Sequence, residues 1–171
     1  SVYGNTYSGS AYIFVQNDTV WSLQKKLTAA DGQPYDRFGY SVAISGEPLT
    51  IFDCGSGIKQ LSDHVMRGGA ERFSGRIFIS HTHWDHIQGL PFFQPLNTKG
   101  NSVRIYGAAQ AGVPLEEILD RQMDPVVFPV PLKALAADLT VTEVSGGQFE
   151  IDGFLVETFR LRHPGTTLGF K

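Results

Sequence analysis

A short cluster of histidine and aspartate directly after an apolar run constrains this chain more than any other feature. The cluster is Ser80-His81-Thr82-His83-Trp84-Asp85-His86, and the run before it is RIFIS (76–80). A continuous apolar run of this kind is typical of a strand that is buried on both faces. In an extended loop, His81 and His83 lie on the same side of the backbone and can bind one ion. Asp85 and His86 follow where we expect a helix to begin, and they can turn toward a second ion.

The residue types in this cluster predict a hydrolytic metal site. Imidazole and carboxylate ligands favour zinc, with manganese and iron as alternatives. A catalytic zinc site keeps one position open for water, whose pKa falls to about 7 when it is bound. Two ions roughly 3.5–4 Å apart can hold the attacking and leaving oxygens of a displacement. Three of the five histidines of the chain lie in the cluster, so a chance grouping is improbable.

The elements around the cluster predict a layered α/β fold. Residues 49–55, 58–69 and 76–80 have the patterns of a strand, a helix and a strand, and this alternation favours an α/β architecture. Asp152-Gly153, between two apolar segments, predicts a tight hairpin. Further strands are expected at 11–15, 20–28, 40–45, 103–107, 139–144, 149–151 and 154–162, a loop at 29–39, a helix at 113–123, and a short helix broken by Pro91 within 87–96.

The composition of the chain limits the classes of substrate and partner that it is expected to bind. The net charge is -3 without a run of like charges, which makes a dedicated nucleic-acid surface unlikely on charge grounds but leaves a small-molecule or phosphoester substrate open. The single cysteine, Cys54, cannot form an internal disulfide. No apolar run approaches the roughly 18 residues of a membrane span, and no signal peptide is visible. We therefore expect no membrane association and, by default, a cytoplasmic protein.

The histidine cluster and its flanking segments resemble the metallo-β-lactamase superfamily. HTHWDH (81–86) looks like the H-x-H-x-D-H signature of that family. IFDCGSGI (51–58), IQGLPFF (87–93) and LRHPGTTLGF (161–170) resemble the segments that precede and follow the signature. The resemblance covers about residues 47–171. It implies an αββα sandwich, of which this chain would form the first half.

The resemblance also implies a role for each site residue. His81, His83 and His163 would bind the first metal ion, and Asp85 and His86 the second. Asp85 would in addition orient or deprotonate the attacking water. Asp53 would lie under the site and orient a ligand imidazole, although an aspartate before a glycine-rich turn can instead satisfy turn amides.

Two further implications concern activity and completeness. The pattern resembles the branch that includes ribonuclease Z-like and cyclic-nucleotide or phosphonate-pathway phosphodiesterases, so hydrolysis of a phosphodiester or related ester is expected. The family completes its site with a later bridging Asp and a final His, but neither type occurs among the eight residues after His163. We therefore expect a truncated chain, or a homo-oligomer or partner that completes the fold. The alternative is a non-catalytic metal-binding or structural fragment.

The N-terminal segment resembles a different family. GSAYIF (9–14) and DRFGYSVAISG (36–46) resemble an FG-GAP repeat, one blade of an integrin-like propeller. We therefore expect short antiparallel strands in an FG-GAP-like segment, 1–46, before a hydrolase domain, 47–171. FGYSVAISG (38–46) is expected to pair with LTIFDCG (49–55) as a hairpin. Two unrelated but similar β-hairpins are the alternative.

Other residues have plainer interpretations. Ser80 lacks the G-x-S-x-G context of a nucleophile and is interpreted as a strand-end serine. Cys54 is expected to be a buried small residue. Trp84 is expected to pack or to shape the pocket mouth, and Phe92 and Phe93 are expected in the core.

Overall fold

A five-stranded sheet forms the centre of the molecule. The computed structural model describes residues 11–17, 20–27, 42–44, 48–68 and 72–171. Strands β1 (Ala11–Asn17) and β2 (Val20–Leu27) form a separate antiparallel pair. The central sheet has the strand order β3-β4-β5-β6-β7. Its strands are β3 (Val42–Ile44), β4 (Leu49–Phe52), β5 (Ser74–Phe78), β6 (Ser102–Gly107) and β7 (Asp138–Glu143).

The pairing within this sheet is mixed. Strand β3 runs antiparallel to β4, with Ala43 opposite Ile51, whereas β4, β5, β6 and β7 are parallel to one another. The predicted hairpin between 38–46 and 49–55 is therefore confirmed for the described residues. The expected domain boundary after residue 46 lies between these two paired strands.

Helices cover one face of the sheet. They are α1 (Ile58–Arg67), α2 (Trp84–Ile87) and α3 (Leu115–Arg121). The core on this side is apolar because β-branched and leucine side chains from the strands and helices meet there, and Ile51, Ile77 and Ile105 are fully buried. None of the described helices combines the length and the apolar character that crossing a bilayer requires.

A three-stranded antiparallel sheet packs against the opposite face. Its strands are β8 (Gly147–Ile151), β9 (Phe154–Arg160) and β10 (Leu168–Phe170), in the order β10-β9-β8. Aromatic rings join the two sheets: Phe78 stacks on Tyr106 at 5.3 Å and lies 5.0 Å from Phe170. The expected mixture of parallel and antiparallel β-structure with helices, an α/β fold consistent with part of an αββα sandwich, is therefore confirmed.

The hairpin predicted at Asp152-Gly153 is confirmed, with Ile151 opposite Phe154. Both turn residues have positive φ, 50° and 78°, which is the conformation of the turn that matches the twist of two paired strands. An aspartate tolerates this conformation better than most residues, and glycine adopts it without strain.

Two expectations were wrong. Residues 87–96 do not form a helix broken at Pro91: α2 ends at Ile87, and two 3₁₀ turns follow, Leu90–Phe92 and Gln94–Asn97. Each turn has a proline at its second residue, where the missing N–H costs no hydrogen bond. Phe92 is 55% exposed, whereas its neighbour Phe93 is buried as expected. In addition, strand β10 was not predicted, and the loop expected at 29–39 lies outside the described residues.

Candidate metal centre

The predicted metal residues meet beyond the carboxyl ends of β4 and β5. These parallel strands end at Phe52 and Phe78, so the chain segments that leave them emerge at the same edge of the sheet. Asp53 follows β4 directly, and its backbone N–H donates to the carbonyl of Phe78 at 2.9 Å. The HTHWDH segment follows β5. The topology therefore brings two sequence-distant segments to one place.

Three histidine nitrogens converge at this edge. His81 Nε2 lies 3.0 Å from His83 Nδ1, which lies 3.1 Å from His163 Nε2. One nitrogen from each ring lies within 4.8 Å of the others. Nitrogens that share one tetrahedral zinc, with Zn–N bonds of about 2.0–2.1 Å, are about 3.3 Å apart. The spacing and the chemistry of the donors therefore both fit one metal ion.

His163 reaches the cluster from the loop between β9 and β10. Leu161 N–H donates to the Thr167 carbonyl at 2.9 Å and closes the loop at its base, and Leu168 N–H donates to the Ser80 carbonyl at 2.8 Å. The side chain of Gln110 also holds the loop, because its Oε1 accepts from Thr166 N–H at 2.9 Å and its Nε2 donates to the Thr166 carbonyl. Strand β10 thus positions His163 beside the ligands that follow β5.

Asp53 organises the residues beneath the cluster. Its Oδ1 accepts from the backbone N–H of Ser80 at 2.7 Å, and its Oδ2 accepts from Ser80 Oγ at 2.9 Å. The same Oδ2 lies 2.8 Å from His86 Nδ1. Asp53 has φ 59°, a left-handed conformation that aspartate tolerates better than most residues.

These contacts determine which ring nitrogens face the metal centre. Because a carboxylate only accepts, His86 donates from Nδ1, and in the neutral ring Nε2 carries the lone pair. Ser80 Oγ donates to Asp53 and can accept from His81 Nδ1 at 3.1 Å, which leaves the lone pair of His81 Nε2 toward His83. Outer partners of this kind commonly fix the tautomer of metal-binding histidines.

Asp85 and His86 lie next to the three-histidine cluster. Asp85 Oδ2 is 3.5 Å from His86 Nε2, and the His86 ring lies 4.1 Å from that of His81 between centroids. His83 is the N-cap residue of α2, so Asp85 and His86 lie in the first turn of this helix. A carboxylate and an imidazole therefore lie beside the three-histidine cluster, outside the group of three converging nitrogens.

The electrostatics of the centre favour neutral His81. Burial, and after it the neighbouring rings of His86, His83 and His163, lower the pKa of His81 to about 4. The hydrogen bond to Asp53 raises the pKa of His86 above its ordinary value. A neutral imidazole has the free lone pair that a metal ion needs.

Three residues beside the predicted metal ligands have other environments. Ser80 is a structural link between Asp53 and His81 rather than a nucleophile. Cys54 is fully buried, and burial, together with the charge of Asp53, raises the pKa of its thiol well above the ordinary value. Trp84 is 62% exposed at the rim. Gln110 was missed by the sequence analysis, because nothing in its surroundings shows that it holds a loop 56 residues away.

Comparison with known proteins agrees with this geometry. The family described as a beta-lactamase superfamily domain matches residues 51–171. This chain belongs to the metallo-β-lactamase superfamily. The FG-GAP repeat family matches residues 21–51, upstream of the superfamily domain and overlapping its first residue. The expected resemblance to both families is thereby confirmed.

Relatives of this superfamily member include ribonucleases. A ribonuclease Z from Oceanobacillus iheyensis is 28% identical over 125 residues, which cover 71% of this chain and 38% of the relative. A ribonuclease Z from Lactobacillus johnsonii is 37% identical over 99 residues, covering 56% of this chain and 30% of the relative. The chain therefore spans less than two fifths of the length of these relatives.

A solved structure shares the fold. A diphosphatase of the PhnP family superposes with a TM-score of 0.56 at 20% identity, and the match covers 81% of this chain and 51% of that chain. At this identity the likeness concerns the fold alone. It supports the arrangement of the two sheets in this metallo-β-lactamase superfamily chain.

Proposed function

We propose that this chain carries the metal centre of a phosphodiesterase that uses zinc. The observation that supports it most is the convergence of the His81, His83 and His163 nitrogens, 3.0 and 3.1 Å apart along the cluster. The relatives named ribonuclease Z and the diphosphatase with the same fold both act, by their names, on phosphate esters or anhydrides. Together these findings favour phosphodiester hydrolysis, and the net charge of -3 favours a small phosphoester over a nucleic acid as the substrate.

Each residue has a role in this proposal. His81, His83 and His163 hold one ion, while Asp85 and His86 contribute to a second, with manganese or iron as alternatives to zinc. When bound, the ions lower the pKa of water and stabilise developing negative charge on the substrate.

A side chain of the protein accepts the proton of the attacking water in this proposal. Asp85 Oδ2 lies 3.5 Å from His86 Nε2, beside the cluster, and in this proposal the carboxylate orients the attacking water and accepts its proton. Asp53 is a positioning residue, because it acts on the centre through Ser80 and His86.

We assign the hydrolase domain to residues 47–171 and the FG-GAP-like segment to 1–46. A cytoplasmic location belongs to the same proposal.

A phosphodiesterase assay tests the proposal. The purified chain, loaded with zinc or manganese, is incubated with bis(p-nitrophenyl) phosphate, and release of nitrophenol is followed. The proposal predicts turnover that Asp85→Asn reduces by at least about a hundredfold, the lower range for loss of a positioned acid–base group. His64→Ala, which removes an exposed histidine of α1 away from the centre, is the matched control and should leave turnover unchanged.

A second candidate is a metal-binding chain without turnover. It is favoured by the ligand group found among the described residues, which consists of His81, His83 and His163 and does not include Asp85 or His86. Stoichiometric metal binding with no turnover above the Asp85→Asn level would support this candidate against the first.

A further inference from the structure

Two arginines lie side by side at the other end of the central sheet. Arg76 on β5 and Arg104 on β6 are opposite each other in the parallel register, so their side chains project from the same face. That face meets the second sheet, because Phe78 and Tyr106, two residues further along each strand, stack there. Like charges placed directly opposite on neighbouring strands are destabilising unless a counter-charge is present.

Asp152 supplies one counter-charge for the two arginines. Its Oδ1 accepts from Arg104 Nη1 at 2.8 Å, and its Oδ2 lies 3.4 Å from Arg76 Nη1. The hairpin turn between β8 and β9 holds it in this place. The three side chains together carry a net charge of about +1, since both guanidinium groups stay protonated at any physiological pH.

The guanidinium of Arg76 has unused hydrogen-bonding capacity in a buried place. Its side chain is 6% exposed, and the Phe154 ring covers it, 5.0 Å from the ring centroid. Among the described residues, its Nε has no hydrogen-bond partner, and Nη2 reaches only the Pro48 carbonyl at 3.5 Å. A buried donor without a partner costs free energy.

A small cavity adjoins these groups. Its volume is about 110 Å³, and its lining consists of Pro48, Ser74, Gly75, Arg76, Arg104 and Asp152. A single ordered water needs about 15 Å³ of such space, so the cavity can take a larger polyatomic ion. The donors that line it are one hydroxyl and two guanidinium groups, and Asp152 is the acidic residue of the described lining.

We propose that this cavity between Arg76 and Arg104 binds phosphate or the terminal phosphate of a small ligand. A tetrahedral oxyanion can accept from the planar edge of Arg76, from Arg104 and from Ser74 at once, and guanidinium groups are well matched to phosphate geometry. Its negative charge offsets the excess positive charge of the arginine pair. The site is separate from the metal centre, which lies at the opposite end of β5, and it does not depend on the proposed hydrolytic function.

Thermal unfolding with inorganic phosphate tests the site. A ligand that binds only the folded chain raises the midpoint with concentration, and at about a hundred times Kd the rise is roughly 5–10 °C for a chain of this size. The wild type should show this rise over sodium chloride of equal ionic strength. Arg104→Gln, at a half-exposed position, should raise the Kd for phosphate about tenfold or more, and Arg76→Lys should do the same.

Control variants separate this cavity from other places on the chain that could bind phosphate. Arg121→Gln removes an arginine that is paired with Glu117 on the exposed face of α3, and it should respond to phosphate like the wild type. His163→Ala, which alters the metal centre, should also respond like the wild type. No rise in the wild type, an equal rise in Arg104→Gln, or loss of the rise in His163→Ala would each overturn the proposal. An equal response to acetate would overturn its phosphate specificity.

Discussion

The side chain of Asp53 joins the loop after β4 to the segment Ser80–His86 that follows β5. Its two carboxylate oxygens hold Ser80 and His86, and Ser80 in turn contacts His81. Residues of this kind do not touch the metal ion, yet they commonly change metal affinity by about 10- to 100-fold when they are replaced.

Replacement of Asp53 should weaken metal binding without unfolding the chain. Asp53→Asn keeps the side-chain shape and tolerates the φ of 59°, but it removes the charge that orients His86. We expect a loss of metal affinity of about 10- to 100-fold, measured by competition with a chromophoric chelator. Asp53→Ala should in addition lower the thermal midpoint, because alanine is strained at positive φ. Wild-type affinity in Asp53→Asn would show that Asp53 is only a turn residue.

His81 should make the metal-free chain sensitive to acid. Its pKa is about 4 in the folded chain against 6.5 when unfolded, so the unfolded state binds the proton first. The stability that this group supports is present above pH 6.5 and is lost as the pH falls toward 4. Urea unfolding between pH 7.5 and 4.5 should show a smaller loss for His81→Asn than for the wild type. Equal losses of stability in His81→Asn and the wild type would contradict the lowered pKa of His81.

At the scale of elements, two loops pack against each other closely enough to require glycine. The N–H of Cys54 donates to the His86 carbonyl at 2.7 Å, and the N–H of Gly89 donates to the Cys54 carbonyl at 2.7 Å. A Cβ on Gly89 would lie 2.3 Å from the Gly55 carbonyl oxygen and 2.5 Å from Ile58 Cγ2. Since backbone atoms supply the closest contact, the conflict cannot be relieved by a side-chain rotation.

Gly89→Ala should therefore destabilise the chain and disturb the metal centre together. Overpacking of this kind typically costs about 1–3 kcal/mol, and the two segments that it pushes apart carry Asp53 and His86. Denaturant unfolding and metal titration measure the two effects. Gly68→Ala is the control, because among the described residues the nearest atom to its Cβ would be the Val65 carbonyl oxygen at 3.3 Å, and it should stay near wild type in both measurements.

Local pattern predicted most elements but not those that depend on distant contacts. The strand predicted at 76–80 is found at Ser74–Phe78, and the turn predicted at Asp152-Gly153 is found in place, because an apolar run and turn chemistry are visible in the sequence itself. Strand β10 is only three residues long and exists because it pairs with β9. The exposure of Phe92 depends on how two proline-containing turns rotate the chain. Of the site residues, the cluster at 81–86 is visible as a motif, whereas Gln110 acts through the tertiary structure alone.

At the scale of the whole molecule, the second sheet leaves apolar side chains uncovered. Leu155, Phe159 and Leu161 lie on one side of β9 and just beyond it, with Glu157 between the first two, and they are 65%, 47% and 47% exposed. Val156 and Thr158, which lie between them, are turned toward the first sheet and are more buried. An apolar stripe of this kind promotes association between copies.

A positive charge placed on this stripe should reduce association between copies of the chain. Phe159→Lys places a cation in the middle of the stripe, and we expect less high-molecular-weight material in light scattering at equal protein concentration. Lys133→Ala, at an exposed residue elsewhere, is the control. Unchanged scattering in Phe159→Lys would show that the stripe does not mediate contacts between copies.

Zinc binding by His163→Ala tests most directly whether two segments of the chain, 80 residues apart, form one metal centre. The measurement is a zinc competition titration of the wild type, His163→Ala and His64→Ala, with folding checked by circular dichroism. We predict that His163→Ala weakens zinc binding at the tightest site by more than about 100-fold, while His64→Ala binds zinc like the wild type. A loss of this size exceeds the usual effect of replacing a residue that only hydrogen-bonds to a metal ligand. Wild-type zinc affinity in a folded His163→Ala chain would contradict the centre described here.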